Sequence, residues 1–466
     1  FLLAFVFYTF FLVLRHSWFQ TSAWDLGIFD QVMYLISNGL PAQSSLLGFH
    51  ILGDHGSLVL YPLGYISTIF PSVGFLFVIQ GLSLSSSIFP LSKLAVKRHL
   101  SRRAFVVSAL MLFLYPVIFN VAIFDFHPEV IAFPLILEVI VMLEEPQLKS
   151  NIRLFIVLTF ALTCKVLISF LVCGIGLAVI LKGRKILGTL VLCFGLIWFI
   201  AIACILIPSF GGQEAQLMRH ADKFGLENAM HFDLMSLSSL LLQLLNQAFS
   251  LATVEYLVLL MLPVIYLFFH RYISTLWISL LPFLPLLLIN IVSFQPSLKD
   301  LVHQYSLFLV PFLAILFQQT LAPGDKGIKA YPGWIRNRAP EIFIFWVVLT
   351  FLALSRFSFF FGAFQDRLDT AAQRYEVISK VHPSSALLTT NDLVPHLSRR
   401  PFVAFTTPDK LDLLNKFDEV LLDEVHPGWK SSESLVKSIV EKLSKDKEWT
   451  EKYRSGPIVL FQKKDY

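Results

Sequence analysis

Apolar runs of membrane-spanning length recur through the first 361 residues, more than one water-facing globule can hide. A bilayer core of about 30 Å takes roughly 20 apolar helical residues. That ruler marks segments at 1–14, 73–96, 104–119, 128–143, 152–163, 164–181, 186–207, 255–270, 273–290, 304–321 and 341–361. The predicted class is a polytopic α-helical membrane protein with about eleven spans. Composition agrees, with 56% hydrophobic and 15% charged residues and a mean hydropathy of +0.70. Cys164, Cys173, Cys193 and Cys204 all fall in apolar runs, where cysteine behaves as a small hydrophobe. The chain opens on Phe1, so the first span is expected to be cut short. A net charge of +5 carries no nucleic-acid footprint.

The run from Ile152 to Leu181 reads either as one long helix or as two short ones hinged near Cys164 and Lys165. Lys and Arg accumulate on the cytoplasmic side of membrane proteins. Two helices place Lys182, Arg184, Lys185, Arg271, Lys326, Lys329, Arg336 and Arg338 inside and only Arg219, Lys223 and Lys299 outside, so two are predicted. Lys93, Lys97, Arg98, Arg102 and Arg103 then also fall inside, which makes the N-terminus cytoplasmic and residues 15–72 an extracytoplasmic loop. Within that loop, 57–70 is apolar but too short to cross, and 28–39 has the helical periodicity of an amphipathic helix lying flat on the membrane. The transmembrane domain is assigned to 1–361. Residues 362–466 change character and predict a small extracytoplasmic α/β domain: a charged helix at 364–380, strands at 386–390, 402–405, 419–422 and 458–461, a short helix capped by Asn391 and a helix at 432–445.

Side chains suited to acid–base or phosphate chemistry gather on the predicted outer side. The first loop carries Asp25 and Asp30 in Trp24-Asp25-Leu26-Gly27-Ile28-Phe29-Asp30-Gln31, then Asp54 and His55 between Gly53 and Gly56. Later turns add Asp125, His127 and Glu129, then His303, Gln304 and Tyr305, with Lys165 at the tip of the short helix pair. Ionisable groups at membrane depth cost about 2.5–3.5 kcal/mol each, so they ordinarily face a cavity and mark a site. Each also has a plainer reading. Asp25 and Asp30 suit helix caps, residues 53–56 a tight turn, Glu129 the start of a helix after Pro128, Lys165 snorkelling, and His303 and Tyr305 interfacial anchoring. Their common side is what favours a site. The glycines flanking Asp54-His55 predict close approach of a ligand or metal. No phosphate-binding Gly-rich loop, paired-Cys motif, nucleophile elbow or His-Glu-x-x-His zinc motif is present, which argues against soluble nucleotide chemistry. The loop at 208–235, with Gly211-Gly212-Gln213-Glu214, Arg219 and His220, is long enough to act as a lid or as a plain connector.

At these motifs the chain resembles the membrane family called domain of unknown function 2079 (DUF2079), which is similar in turn to membrane glycosyltransferases of the GT-C fold. The resemblance runs in order through residues 24–31, Gly53-Asp54-His55, Phe124-Asp125-Phe126-His127-Pro128-Glu129, Cys164-Lys165, His303-Gln304-Tyr305 and Asn391 to Arg400. It implies a sugar donor carried on a polyprenyl phosphate, contact with membrane lipid, and transfer at the extracytoplasmic face of a prokaryotic inner or internal membrane. On that resemblance Asp25 is the expected catalytic base and Asp30 its alternate. Asp54, His55 and His127 are expected to orient a divalent metal (Mg or Mn) or the donor phosphate, and Lys165 to offset phosphate charge. Asp125, Glu129, His303 and Tyr305 complete the expected donor side. The family pattern places acidic residues directly after the lysine, where this chain has Val166 and Leu167. The alternative expectation is a non-enzymatic membrane subunit or scaffold of a larger complex that has lost catalysis. A groove open to lipid favours the transferase and a plugged one the scaffold. A transporter fits less well, since the halves show no twin symmetry. His396, Arg399 and Arg400 read as a solvated basic turn or as contacts for an anionic glycan or head group.

Overall fold

The structure, a computed structural model, describes residues 1–145, 151–214, 223–224, 234–269, 277–323, 332–464 and 466. Arg219, His220, Arg271, Lys326 and Lys329 lie outside the described residues, as does the side chain of Arg336. Among the described residues five helices are long and apolar enough to cross a bilayer: Gly74–Lys97, Lys185–Ser209, Leu251–Phe268, Pro296–Thr320 and Asn337–Leu354. Arg102–Phe113 and Pro116–Ile123, bent by 49° at their junction, pass the same test together and count as a sixth if the pair is one span. Leu2–Ser17, Asn151–Leu162, Ile168–Leu181 and Ile278–Val292 are shorter apolar helices, so length alone supports about half of the expected spans. Leu3, Ile186 and Leu251 leave more than four-fifths of their surface exposed, as lipid-facing side chains do.

The Ile152–Leu181 run is broken, as its charge pattern predicts. One helix ends at Leu162 and the next begins at Ile168. Freed backbone groups at such a break need partners, and the first loop supplies them: Val166 N–H donates to the His55 carbonyl at 3.2 Å, and Val59 N–H donates to the Thr163 carbonyl at 3.2 Å.

The C-terminal region folds around a five-stranded mixed sheet of β1 (Leu387–Thr389), β2 (Val403–Phe405), β3 (Glu419–Asp423), β4 (Trp449–Ser455) and β5 (Ile458–Lys463), ordered β2-β1-β3-β5-β4. β1 runs parallel to both β2 and β3, with Leu388 opposite Ala404 and Val420. β5 closes antiparallel on β3 and β4. The charged helix expected at 364–380 is shorter, Ala371–Ile378, preceded by short 3-10 turns. The helix at Glu433–Lys445 starts on Ser432, whose side chain accepts from Leu435 N–H.

One expectation about the first loop and one about the C-terminal region change. Ile28–Ser37 is a helix, but its polar side does not face solvent: Asp30 and Gln31 are buried. They meet the C-terminal region, where Asp30 accepts from Ser398 Oγ at 2.7 Å and Arg399 Nη1 at 2.9 Å. Gln31 reaches the Arg400 carbonyl at 3.5 Å. Arg400 is buried and His396 half-buried, its ring stacked on His16 with centroids 4.0 Å apart, so the basic turn is a seam between the two parts of the chain and not a solvated loop.

Candidate functional site

The short helix pair, the first loop and the turns at 124–129 and 303–305 converge at one end of the helices. Asp25, Asp54, His55, His127, Glu129 and Lys165 line one small cavity of about 40 Å³ together with Trp24 and Gln304. The first six come from four separate stretches of sequence, and all were singled out by residue type and side.

Asp25 sits on a strained turn. Its backbone has φ 69° and ψ −86°, a region that L-residues rarely adopt and that costs about 1–3 kcal/mol. Ser22 begins the turn and accepts from Trp24 N–H. The Asp25 side chain keeps 30% of its surface exposed, and Oδ2 lies 3.8 Å from His127 Nε2. Burial raises its pKa well above the ordinary value, with the Asp125, Glu129 and Asp54 carboxylates adding and Lys165 opposing. His127 is buried, and burial lowers its pKa to about 4, leaving a neutral imidazole beside the carboxylate. Pro128 fixes the 3-10 turn that follows. Lys165 and Glu129 form a buried ion pair at 2.5 Å.

Asp125 does not line the cavity; it builds the wall. Arg15 Nη1 donates to Asp125 Oδ1 at 2.7 Å, and Ser22 N–H donates to Oδ2 at 3.2 Å, which ties the first helix to the Asp25 turn. Gln80, unmarked in the sequence, donates through Nε2 to the carbonyls of Val121 and Ala122, and its Oε1 accepts from His127 N–H at 3.1 Å. A lone glutamine in an apolar helix is the signal that was available. Asp30 is not brought to the cavity, because Arg399 and Ser398 hold it at the C-terminal seam. His303 is also apart: its Nδ1 lies 2.6 Å from Asp300 Oδ2 and its ring packs edge-on to Phe124.

The glycines around Asp54-His55 serve close approach of the chain itself. A Cβ on Gly53 would stand 2.7 Å from the Phe210 carbonyl and 3.0 Å from Gly212 N, so this position packs backbone against backbone. Among the described residues no three His, Cys, Asp or Glu side chains stand close enough to hold a metal ion. Asp54, His55 and His127 are not gathered into such a group.

Beside the polar cavity lies a larger one of about 420 Å³, walled mainly by apolar residues such as Phe170, Phe199, Leu286 and Phe308. The two share His55, Glu129, Lys165 and Gln304. Val166 and Leu167 line this apolar wall. At its polar end two ammonium groups approach one ring: Lys165 Nζ lies 5.9 Å and Lys223 Nζ 5.3 Å from the Tyr305 centroid. The charge pattern marked Lys223 only as an outside cation; its burial here was not readable from sequence.

A family profile described as Predicted membrane protein (DUF2079) matches residues 15–460. The chain belongs to the DUF2079 family. The fold of this DUF2079 protein is similar to that of ArnT from Cupriavidus metallidurans. The ArnT crystal structure bound to undecaprenyl phosphate superposes with a TM-score of 0.58 at 11% identity, covering 99% of this chain and 97% of ArnT. The apo ArnT structure gives 0.53 at 13% identity, covering 96% and 95%. The DUF2079 chain is thus an integral membrane protein with an ArnT-like fold. A comparison with curated proteins finds no match.

Proposed function

We propose that this protein is a membrane glycosyltransferase that moves a sugar from a polyprenyl-phosphate donor to an acceptor hydroxyl at the extracytoplasmic face. The observation that carries the reading is the pairing of cavities: a small polar one holding Asp25, joined through Lys165 and Glu129 to an apolar one of about 420 Å³. A lipid-linked sugar phosphate has that same division, and ArnT, of similar fold, has been seen with undecaprenyl phosphate. Among the described residues no side chain fills the large cavity, which favours a transferase over a plugged scaffold.

On this reading the isoprenoid lies along the apolar wall and the phosphate sits near Lys165 and Lys223, whose charges offset it. The acceptor oxygen attacks the anomeric carbon while Asp25 takes the hydroxyl proton. The bond from that carbon to the phosphate oxygen breaks, and polyprenyl phosphate leaves. His127, neutral and 3.8 Å away, is beyond hydrogen-bond reach of the carboxylate and does not compete for the proton.

The reading is tested by transfer from labelled polyprenyl-phosphate sugars to added acceptors, using the purified protein in liposomes, across pH. Asp25 accepts a proton only when ionised, and its pKa is raised. The rate is therefore expected to fall as pH drops, with a midpoint above the ordinary aspartate value of about 4. No transfer from any such donor, or a rate flat down to about pH 4, contradicts it.

A further inference from the structure

In open α/β sheets, ligands bind outside the carboxyl ends of parallel strands, where the chain leaves a central strand toward opposite sides. The C-terminal sheet has such a point at β1, which is flanked by β2 on one side and β3 on the other. Here that edge receives part of the chain's own first loop. Phe19 and Ala23 are fully buried in one core with Leu387, Leu393, Val394 and Leu421. Arg374, held by Asp423 at the end of β3, places its guanidinium 4.9 Å from the centre of the Phe19 ring. Arg367 Nη1 donates to the Phe19 carbonyl at 2.7 Å.

Asn391, two residues past β1, makes the contact nearest the catalytic turn. Its Oδ1 accepts from Ser22 Oγ at 3.2 Å and from Ala23 N–H at 3.4 Å. The expected role as a helix cap is not what its side chain does: the turn at Asn391–Leu393 has no side-chain cap. Ser22 Oγ in turn accepts from Trp24 N–H, and Ser22 N–H donates to Asp125. A chain of bonds therefore runs from the end of β1 to the residue before Asp25, where the backbone is strained. Strain of this kind persists only where surrounding structure over-determines it.

We propose that the C-terminal domain is a clamp whose ligand is the Phe19–Ala23 segment, and that Asn391 is a positioning residue setting the geometry of the Asp25 turn. The inference rests on the reading of Asp25 as the base. The domain's docking to the first loop then controls transfer: undocking releases the turn, and Asp25 relaxes away from the acceptor.

The test uses the full chain in lipid nanodiscs, with hydrogen–deuterium exchange over residues 20–28 and transfer kinetics measured together. Asn391→Ala is expected to speed exchange in that segment several-fold and to lower kcat by about a hundredfold, the order of loss a small misplacement causes, with KM for the donor unchanged. Ser22→Thr keeps the hydroxyl that donates to Asn391 Oδ1 and accepts from Trp24 N–H. It is expected to keep both readouts near wild type, which a merely space-filling role does not give. Ser22→Ala removes the hydroxyl from the other side of the same contact and serves where Asn391→Ala does not fold; a smaller change of the same kind is expected. If exchange over 20–28 is unchanged in the alanine variants, or if Ser22→Thr is as impaired as Ser22→Ala, the clamp is wrong. If exchange rises as expected while Asp25→Asn still transfers sugar at the wild-type rate, the clamp stands and the assignment of the base falls.

Discussion

Asp25→Asn is expected to lower sugar transfer by about a hundred- to ten-thousandfold, the usual contribution of a positioned general base. The substitution keeps the size of the side chain and removes its ability to accept a proton. It also removes a negative charge from a cavity that already holds Asp54 and Glu129, so the fold loses no obligatory counter-charge. Donor binding should persist, because the phosphate contacts are assigned on the proposed reading to Lys165 and Lys223. A drop in kcat with little change in KM is the expected pattern, measured with labelled donor in liposomes. Wild-type turnover in Asp25→Asn removes the carboxylate from the mechanism.

Arg374→Leu is expected to destabilise the C-terminal domain by about 3–5 kcal/mol, the cost of leaving a buried charge without its partner. Both Arg374 and Asp423 are completely buried, with Arg374 Nη2 2.5 Å from Asp423 Oδ2. Replacing both residues with leucine should recover much of the loss, since it removes the stranded carboxylate. Thermal unfolding followed by the fluorescence of Trp449, buried on the domain's second core, measures it. The exposed pair of Arg454 with Glu451 provides the contrast: its removal should cost no more than about 1 kcal/mol. Equal losses at the two pairs would contradict the burial argument.

The candidate site was legible in the sequence because ionisable residues are rare in apolar surroundings and Asp25, Asp54, His55, His127, Glu129 and Lys165 share one predicted side, although each alone has a plainer reading. The break at Lys165 was legible from charge, since one helix there would have inverted the distribution of basic residues. What stayed hidden depended on contacts between distant segments. Asp30 resembles Asp25 in composition and context, yet its partners Ser398 and Arg399 are far away in the chain, and only the docked sheet makes it structural. Gln80 and Arg15 support the wall by hydrogen bonds that leave no local pattern. The strand β4 was missed for another reason. Its residues are Trp-Thr-Glu-Lys-Tyr-Arg-Ser, and their charges suit an exposed edge strand while erasing the apolar alternation by which strands are read. The glycines beside Asp54-His55 suggest close approach of a ligand or metal, but what approaches them is the chain itself: backbone of Phe210 and Gly212 at Gly53, and the Ile202 side chain at Gly56.

The central claim is that the apolar cavity beside Asp25 takes the isoprenoid of a phosphate-linked donor. Photo-crosslinking tests it most directly: a polyprenyl phosphate with a photoreactive group in its first isoprene units, irradiated with the protein in nanodiscs, followed by peptide mapping. Adducts on Phe170, Phe199 or Leu286, lost when unmodified polyprenyl phosphate is added, are the predicted result. Adducts confined to lipid-facing residues such as Leu3, Ile186 and Leu251, undiminished by the competitor, would contradict it.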